Sequence, residues 1–194
     1  MTVLAARDPD LARILARHGL PPLWARPPGF ATLVAIVLEQ QVSLRSGAAA
    51  LARLRLAAGS LEPAAIRDLG EPGARAAGLT RQKARYAVEL AAATLDGRFD
   101  PAAVAAADDD DARELLVALL GVGSWTADIY LLMALGRPDV WPDGDLALAT
   151  AMRRVKGLVA IPDLATQRAV AETWRPWRAA AARLLWHAYL AGER

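Results

Sequence analysis

Apolar residues recur at three- and four-residue spacing along most of the chain, and sustained apolar/polar alternation with β-branched residues is missing. That pattern predicts a nearly all-helical fold. The periodic segments place helices at 8 to 18, 29 to 40, 43 to 57, 62 to 68, 80 to 96, 111 to 120, 124 to 136, 146 to 155, 163 to 174 and 177 to 191. Glycine and proline separate them at Gly19 with Pro21 and Pro22, at Pro27, Pro28 and Gly29, at Pro72 and Gly73, at Gly97 with Pro101, at Gly136 with Pro138, and at Gly157 with Pro162. Pro176 is expected in the first turn of the last helix, where a missing N–H costs little. The run Asp108 to Asp111, with Glu114 three residues further on, reads as a helix start. A metal cluster is the weaker reading, because consecutive carboxylates at a helix entry point in different directions.

At 194 residues and 55% hydrophobic, the chain can bury a core in one domain or in two small lobes. No apolar run reaches membrane-spanning length, and Arg7, Asp8, Asp10 and Arg13 do not fit a signal peptide, so a cytoplasmic protein with no membrane partner is expected. The absence of cysteine excludes disulfides, a thiolate nucleophile and a cysteine-ligated iron-sulfur cluster, and two distant histidines, His18 and His187, argue against zinc. The net charge of +2 advertises no polyanion partner, but its distribution is uneven. Residues 1 to 100 carry 13 basic and 9 acidic side chains, residues 101 to 144 carry 2 and 8, and residues 145 to 194 carry 8 and 4. A polyanion held by the middle segment would therefore meet backbone dipoles there and arginines from elsewhere.

The middle segment holds the candidate chemistry. In Leu119-Leu120-Gly121-Val122-Gly123-Ser124-Trp125-Thr126-Ala127, two glycines one residue apart between amphipathic runs allow a tight turn between helices that a polyanion can approach closely. The N–H groups of Gly121, Val122 and Gly123 and of the following helix start could hold a phosphate, with the Ser124 and Thr126 hydroxyls as caps or added donors. Asp145 follows in a Pro142-Asp143-Gly144-Asp145 turn, twenty-two positions after Gly123. An aspartate there caps the next helix, and a carboxylate in such a place can also stabilise positive charge on a sugar or orient a water. Asp143 could serve equally on these grounds.

Four segments then carry a specific resemblance: FATLVAIVLEQQVSLRSGAAAL at 30 to 51, GLTRQKARYAVELA at 78 to 91, LLGVGSWTADIYLLMALGRPDVWPDGDLAL at 119 to 148, and WRPWRAAAARLLWHAYL at 174 to 190. Together they resemble the helix-hairpin-helix DNA glycosylase superfamily, and within it the 3-methyladenine DNA glycosylase II branch. The resemblance implies an all-α, two-lobed core with a cleft between lobes. Residues 1 to 194 would form one such unit, with lobes at about 30 to 107 and at 1 to 29 plus 108 to 194, and without the additional N-terminal mixed domain of some members. It places the essential aspartate at Asp145 rather than Asp143. Lyase-competent relatives carry a Schiff-base lysine after the hairpin; Trp125 stands at that position here. The chain's two lysines, Lys83 and Lys156, lie elsewhere, which disfavours a covalent imine.

Further roles follow from the resemblance. Trp125 and Trp186 match aromatic pocket positions, suited to a cationic alkylated base, with Ile129 and Leu146 beside them; relatives carry a tyrosine at the Ile129 position. The other tryptophans, Trp24, Trp141, Trp174 and Trp177, are left to the core or its support. Gln40 and Gln41 fall in the minor-groove turn, and Gln41 would fill the gap left by an extruded nucleotide. Arg45, Arg81, Lys83 and Arg85 are candidate phosphate contacts. The backbone carbonyls of Val117, Leu119 and Val122 match a hairpin site for a structural Na+ or K+, with no catalytic metal and no other cofactor expected.

The implied function is a monomeric, monofunctional DNA glycosylase of base excision repair, associated with the bacterial nucleoid. It would flip an alkylated purine, such as 3-methyladenine or 7-methylguanine, out of damaged double-stranded DNA and hydrolyse its N-glycosidic bond with help from Asp145. The alternatives are a noncatalytic helix-hairpin-helix DNA-binding module and a helical protein-interaction domain.

Overall fold

The computed structural model describes residues 1–192 as twelve helices: α1 (Thr2–Arg7), α2 (Pro9–His18), α3 (Phe30–Glu39), α4 (Leu44–Ala58), α5 (Pro63–Ala76), α6 (Arg81–Leu95), α7 (Pro101–Ala106), α8 (Asp109–Val117), α9 (Ser124–Met133), α10 (Leu146–Val155), α11 (Leu164–Glu172) and α12 (Arg178–Leu190). No strand occurs among the described residues. Side-chain caps set most of the starts. Asp8, Ser43, Thr80, Asp100, Asp108, Asp145 and Asp163 each accept backbone N–H groups of the first turn that have no partner within the helix. Asp108 is therefore a cap, accepting from the amides of Asp110 and Asp111 at 3.1 and 2.9 Å.

Three expectations are corrected. α5 runs well past residue 68, because the chain breaks at Gly70 (φ 66°) and re-enters a helix through Pro72. α1 and α7 were not anticipated; each is six residues long and buries a single large apolar side chain, Leu4 and Val104, too few to show a period. Pro176 lies outside the last helix. Trp177 is the N-cap of α12, and Pro176 follows a cis peptide bond in the preceding turn.

The chain divides into two compact units, Arg26–Leu135 and Met1–Ala25 together with the chain from Gly136 onward. The boundary falls at Leu135, after α9, because α8 packs on α9 and α9 on α3. In the Arg26–Leu135 unit, α3 is apolar on nearly all sides, with seven buried residues, and it packs against α4, α6 and α9. α9 buries every residue from Thr126 to Leu132. Two polar groups inside this unit are satisfied: the Tyr130 hydroxyl accepts the Gly29 amide at 2.8 Å, and Asp128 accepts from Arg113 Nε at 2.8 Å.

The other unit is built on α12, whose alanine-rich face meets α2, α10 and α11. A buried polar knot fastens its first turns. Asp8 Oδ2 accepts from Lys156 Nζ and from Trp174 Nε1, both at 2.7 Å, and Lys156 also pairs with Asp10 at 2.8 Å. Trp141 stacks obliquely on Trp174, so both belong to the core, whereas Trp177 is exposed. Among the described residues no helix is long and apolar enough to cross a membrane.

Candidate functional site

The hairpin lies in the Arg26–Leu135 unit. Leu116 O accepts the Leu119 amide and Leu119 O accepts the Val122 amide, both at 3.1 Å, which closes the turn tightly. Gly121 is required twice over: its φ is +85°, and a Cβ there would lie 2.4 Å from the Tyr86 ring. Val122 points inward and anchors the turn. Gly123 is different. It is the exposed N-cap of α9 with φ −95°, no side chain caps the helix, and a Cβ would meet nothing within 4 Å. Nothing in the protein's own packing demands glycine there. The positive end of α9 is thus presented without a capping side chain, as an anion site requires.

Of the two hydroxyls, Ser124 is exposed at the start of α9. Thr126 is 1% exposed, and its Oγ1 accepts from Gln40 Nε2 at 2.8 Å. Its hydroxyl is spent inside the fold rather than offered to a phosphate. Gln40 Nε2 also donates to Gly121 O at 2.9 Å, so its amide braces the hairpin instead of facing solvent. Gln41 is exposed and adopts a left-handed backbone, φ 56°. Lys83 likewise differs from a surface phosphate contact. Its Nζ donates to Leu38 O and Gln40 O at 2.7 and 2.9 Å, and burial pushes its pKa below the ordinary lysine value. Arg45, Arg81 and Arg85 are exposed. Trp125 is half-buried, and Ile129, at 3% exposure, is packed within α9's buried face. Of the three carbonyl residues, Val117 ends α8, where carbonyls lack an intrahelical amide, and Leu119 O already accepts from Val122.

The carboxylate cluster lies in the other unit. Asp145 caps α10, its Oδ1 accepting the Leu148 amide at 2.8 Å and, at a longer 3.4 Å, Trp186 Nε1. Trp186 is 8% exposed, and Trp24 meets it edge-on, with ring centroids 6.3 Å apart and an interplanar angle of 83°. Trp24 holds a left-handed backbone, φ 48°. Asp143 is engaged differently: Arg168 of α11 clamps its Oδ2 through Nε at 2.8 Å and Nη2 at 2.6 Å. Leu146 is 70% exposed at the start of α10. Asp145 therefore combines a dipole-held carboxylate with an indole beside it, which suits stabilisation of a developing cation.

The sequence carries little sign of Lys83, Trp24, Tyr86 or Arg168 in these arrangements. Lys83 and Gln40 are joined across 43 positions, and no local period marks such a pair.

A family model described as HhH-GPD superfamily base excision DNA repair protein matches residues 34–176. The chain belongs to this superfamily. The match takes in α4 to α11, the hairpin and Asp145. A Mycobacterium tuberculosis protein named as a probable bifunctional transcriptional activator/DNA repair enzyme AlkA is 34% identical over 168 residues, covering 79% of this chain and 32% of that protein. DNA-3-methyladenine glycosylase 1 of Schizosaccharomyces pombe is 28% identical over 158 residues, covering 79% and 69%. The chain spans less than half the length of the first curated relatives it matches, 44% and 32%. Among solved structures, the Schizosaccharomyces pombe 3-methyladenine DNA glycosylase Mag1 in complex with abasic DNA superposes with a TM-score of 0.86 at 24% identity, over 97% of this chain and 93% of that one. The HhH-GPD fold of this chain is thereby shown.

Proposed function

We propose that this HhH-GPD protein is a monofunctional DNA glycosylase that excises alkylated purines from duplex DNA. The observation that carries the reading is Asp145, a carboxylate held at the start of α10 by the Leu148 amide with the Trp186 indole on the same oxygen. The uncapped start of α9 behind Gly123 supplies the phosphate grip. Water adds to C1′ of the sugar as the C1′–N bond breaks, the bonding electrons leave with the base, and the water's proton is released. An alkylated purine is already cationic, so it departs as a neutral base and needs little acid help. Asp145 stabilises the oxocarbenium-like sugar and orients the water. The indole of Trp186, beside Asp145, attracts the cationic base before cleavage. A monovalent cation on the Val117, Leu119 and Val122 carbonyls fits this reading as a support for the turn, outside the chemistry.

Base excision without strand cleavage is supported by the state of the two lysines. Lys83 Nζ is bound to two carbonyls, and Lys156 Nζ to Asp8 and Asp10. Both amines are thus committed to partners inside the fold, whereas imine formation requires an amine free to attack the sugar. The test is chromatography of free bases released from uniformly methylated DNA by wild type and by Asp145→Asn. Asparagine caps a helix as well as aspartate, so the variant should fold and bind DNA while base release falls about 100-fold or more, the size expected for loss of a main electrostatic group. Wild-type protein that binds methylated DNA and releases no base refutes the enzyme and leaves a DNA-binding module. A borohydride-trapped covalent DNA adduct refutes the monofunctional assignment.

A further inference from the structure

We propose that Lys83 and Gln40 are positioning residues for Gln41, locking it as a rigid plug in fixed register with the hairpin; this rests on the glycosylase reading above. Gln41 stands in a conformation L residues rarely adopt, and such residues persist only where their surroundings over-determine them. Here the restraints fall on residues 38 to 40, which lead directly into it. Lys83 Nζ seals two carbonyls at the C-terminal end of α3, Leu38 O at 2.7 Å and Gln40 O at 2.9 Å, and brings a positive charge to the negative end of that helix. Glu39 is gripped by Arg26 Nη2 at 3.1 and 3.0 Å. Gly47 of α4 sits so close that a Cβ on it would lie 2.6 Å from Glu39 Cγ.

Gln40 is held at both ends. Its carbonyl belongs to Lys83, and its side-chain amide donates to Gly121 O and Thr126 Oγ1 of the hairpin. The next residue is Gln41, exposed along with Val42 and Ser43. One residue thus couples the element that grips a phosphate to the tip that fills the vacated gap. A misplaced plug would let the target base return to the stack, so the brace acts on base extrusion and not on bond cleavage. Lys83 does this without touching DNA, despite its charge and its place on a helix rich in arginine.

Single-turnover release of 7-methylguanine separates these roles, using the full chain and two duplexes: one with cytosine opposite the lesion, one with an abasic analogue opposite it, where extrusion costs little. Lys83→Met should slow release from the paired duplex about 10- to 100-fold, the range expected for a displaced positioning group. It should slow the unpaired duplex no more than about twofold, since the step it serves is bypassed there. Gln41→Ala, an exposed change that leaves the fold intact, should show the same contrast. The double variant should be no slower than the worse single one, because the two act as a unit. The salt dependence of binding should be unchanged in Lys83→Met, whereas a lost phosphate contact lowers the slope by about one. Equal slowing on both duplexes, a reduced salt slope, or no slowing in either variant overturns the brace. A wild type that releases no base refutes the glycosylase itself. The brace is then decided by 2-aminopurine stacked beside the target: fluorescence that rises with wild type and not with Lys83→Met upholds it, and an equal rise refutes it.

Discussion

Alanine placed at each of the two hairpin glycines should separate folding from DNA binding, because the fold needs one of them and has no use for the other. At Gly121 the backbone is left-handed and the Tyr86 ring occupies the space a Cβ would fill, 2.4 Å away. A left-handed alanine costs roughly 1–2 kcal/mol, and overpacking against a ring adds about 1–3 kcal/mol. Gly121→Ala is therefore expected to lose about 2–5 kcal/mol, a fall in Tm of roughly 4–20 °C for a chain of this size. At Gly123 the φ of −95° suits any residue and the Cβ meets nothing. Alanine there gains about 0.4–1 kcal/mol from a stiffer unfolded chain and loses about 0.5–1 kcal/mol as a poorer N-cap. The two nearly cancel, leaving Tm close to wild type.

The effect on binding runs the opposite way. The methyl of Gly123→Ala projects from the open start of α9, where a phosphate must come within hydrogen-bond distance of backbone amides. Losing one hydrogen bond to a charged group costs about 1.5–3 kcal/mol, or about 10- to 150-fold in Kd. Thermal melting followed by circular dichroism, and fluorescence anisotropy on a duplex bearing an abasic analogue at fixed salt, measure the two quantities separately. A Gly123→Ala protein with wild-type Tm and wild-type affinity refutes the hairpin as a phosphate site. A large fall in its Tm refutes the claim that the fold leaves this position open.

Two further outcomes are expected. Trp186→Phe removes the 3.4 Å donor to Asp145 and trims the indole that meets Trp24 and would face the cationic base; a bond that long should contribute at the low end, so base release should drop at least about 2- to 10-fold, and a rate equal to wild type would show that the indole N–H does not act on the carboxylate. For Asp8, burial opposes ionisation, but hydrogen bonds from Lys156, Trp174 and the Leu11 amide together with the Lys156 charge outweigh it, and its pKa lies below 3.8. The stabilisation is therefore fully present above that value and is lost as pH falls through the depressed one. Asp8→Asn should cost about 2–3 kcal/mol at neutral pH and flatten the acid limb of a denaturant-midpoint-against-pH curve; an acid limb as steep as wild type would assign the transition to other carboxylates.

What could be read from the sequence was what is local. Helix starts at Ser43, Thr80, Asp108, Asp145 and Asp163 were legible because a capping side chain sits within three residues of the amide it satisfies. The hairpin was legible for the same reason, since both glycines and the helix start are adjacent in sequence. The fates of Thr126, Gln40 and Lys83 were not, because each is decided by a partner far along the chain. Thr126 read as a surface hydroxyl at a helix start, yet α9 is buried from that residue onward, and only the third dimension supplies Gln40 to satisfy it. The left-handed backbone of Trp24 left no sequence signal at all, as tryptophan has no preference for that conformation.

The acidic middle segment, which opposes a polyanion on charge count alone, is resolved by where its carboxylates are spent. Asp108 is consumed in capping α8, and Asp110 and Asp128 are both paired with Arg113. Asp139 is paired with Arg178, and Asp143 with Arg168. These five of the segment's eight carboxylates are thus met by partners within their own unit, and what α9 presents at its start is a helix dipole with no carboxylate on its N-cap. α10 uses the same physical feature in reverse, filling its positive end with the protein's own Asp145. Two helix starts of like polarity therefore divide the work by one difference, glycine at one N-cap and aspartate at the other. Exchanging that difference, with Gly123→Asp, should place a fixed negative charge where a phosphate must sit, leave α9 better capped and at least as stable, and weaken DNA binding beyond the loss in Gly123→Ala. Affinity equal to that of the alanine variant at low salt would mean that no phosphate approaches the start of α9.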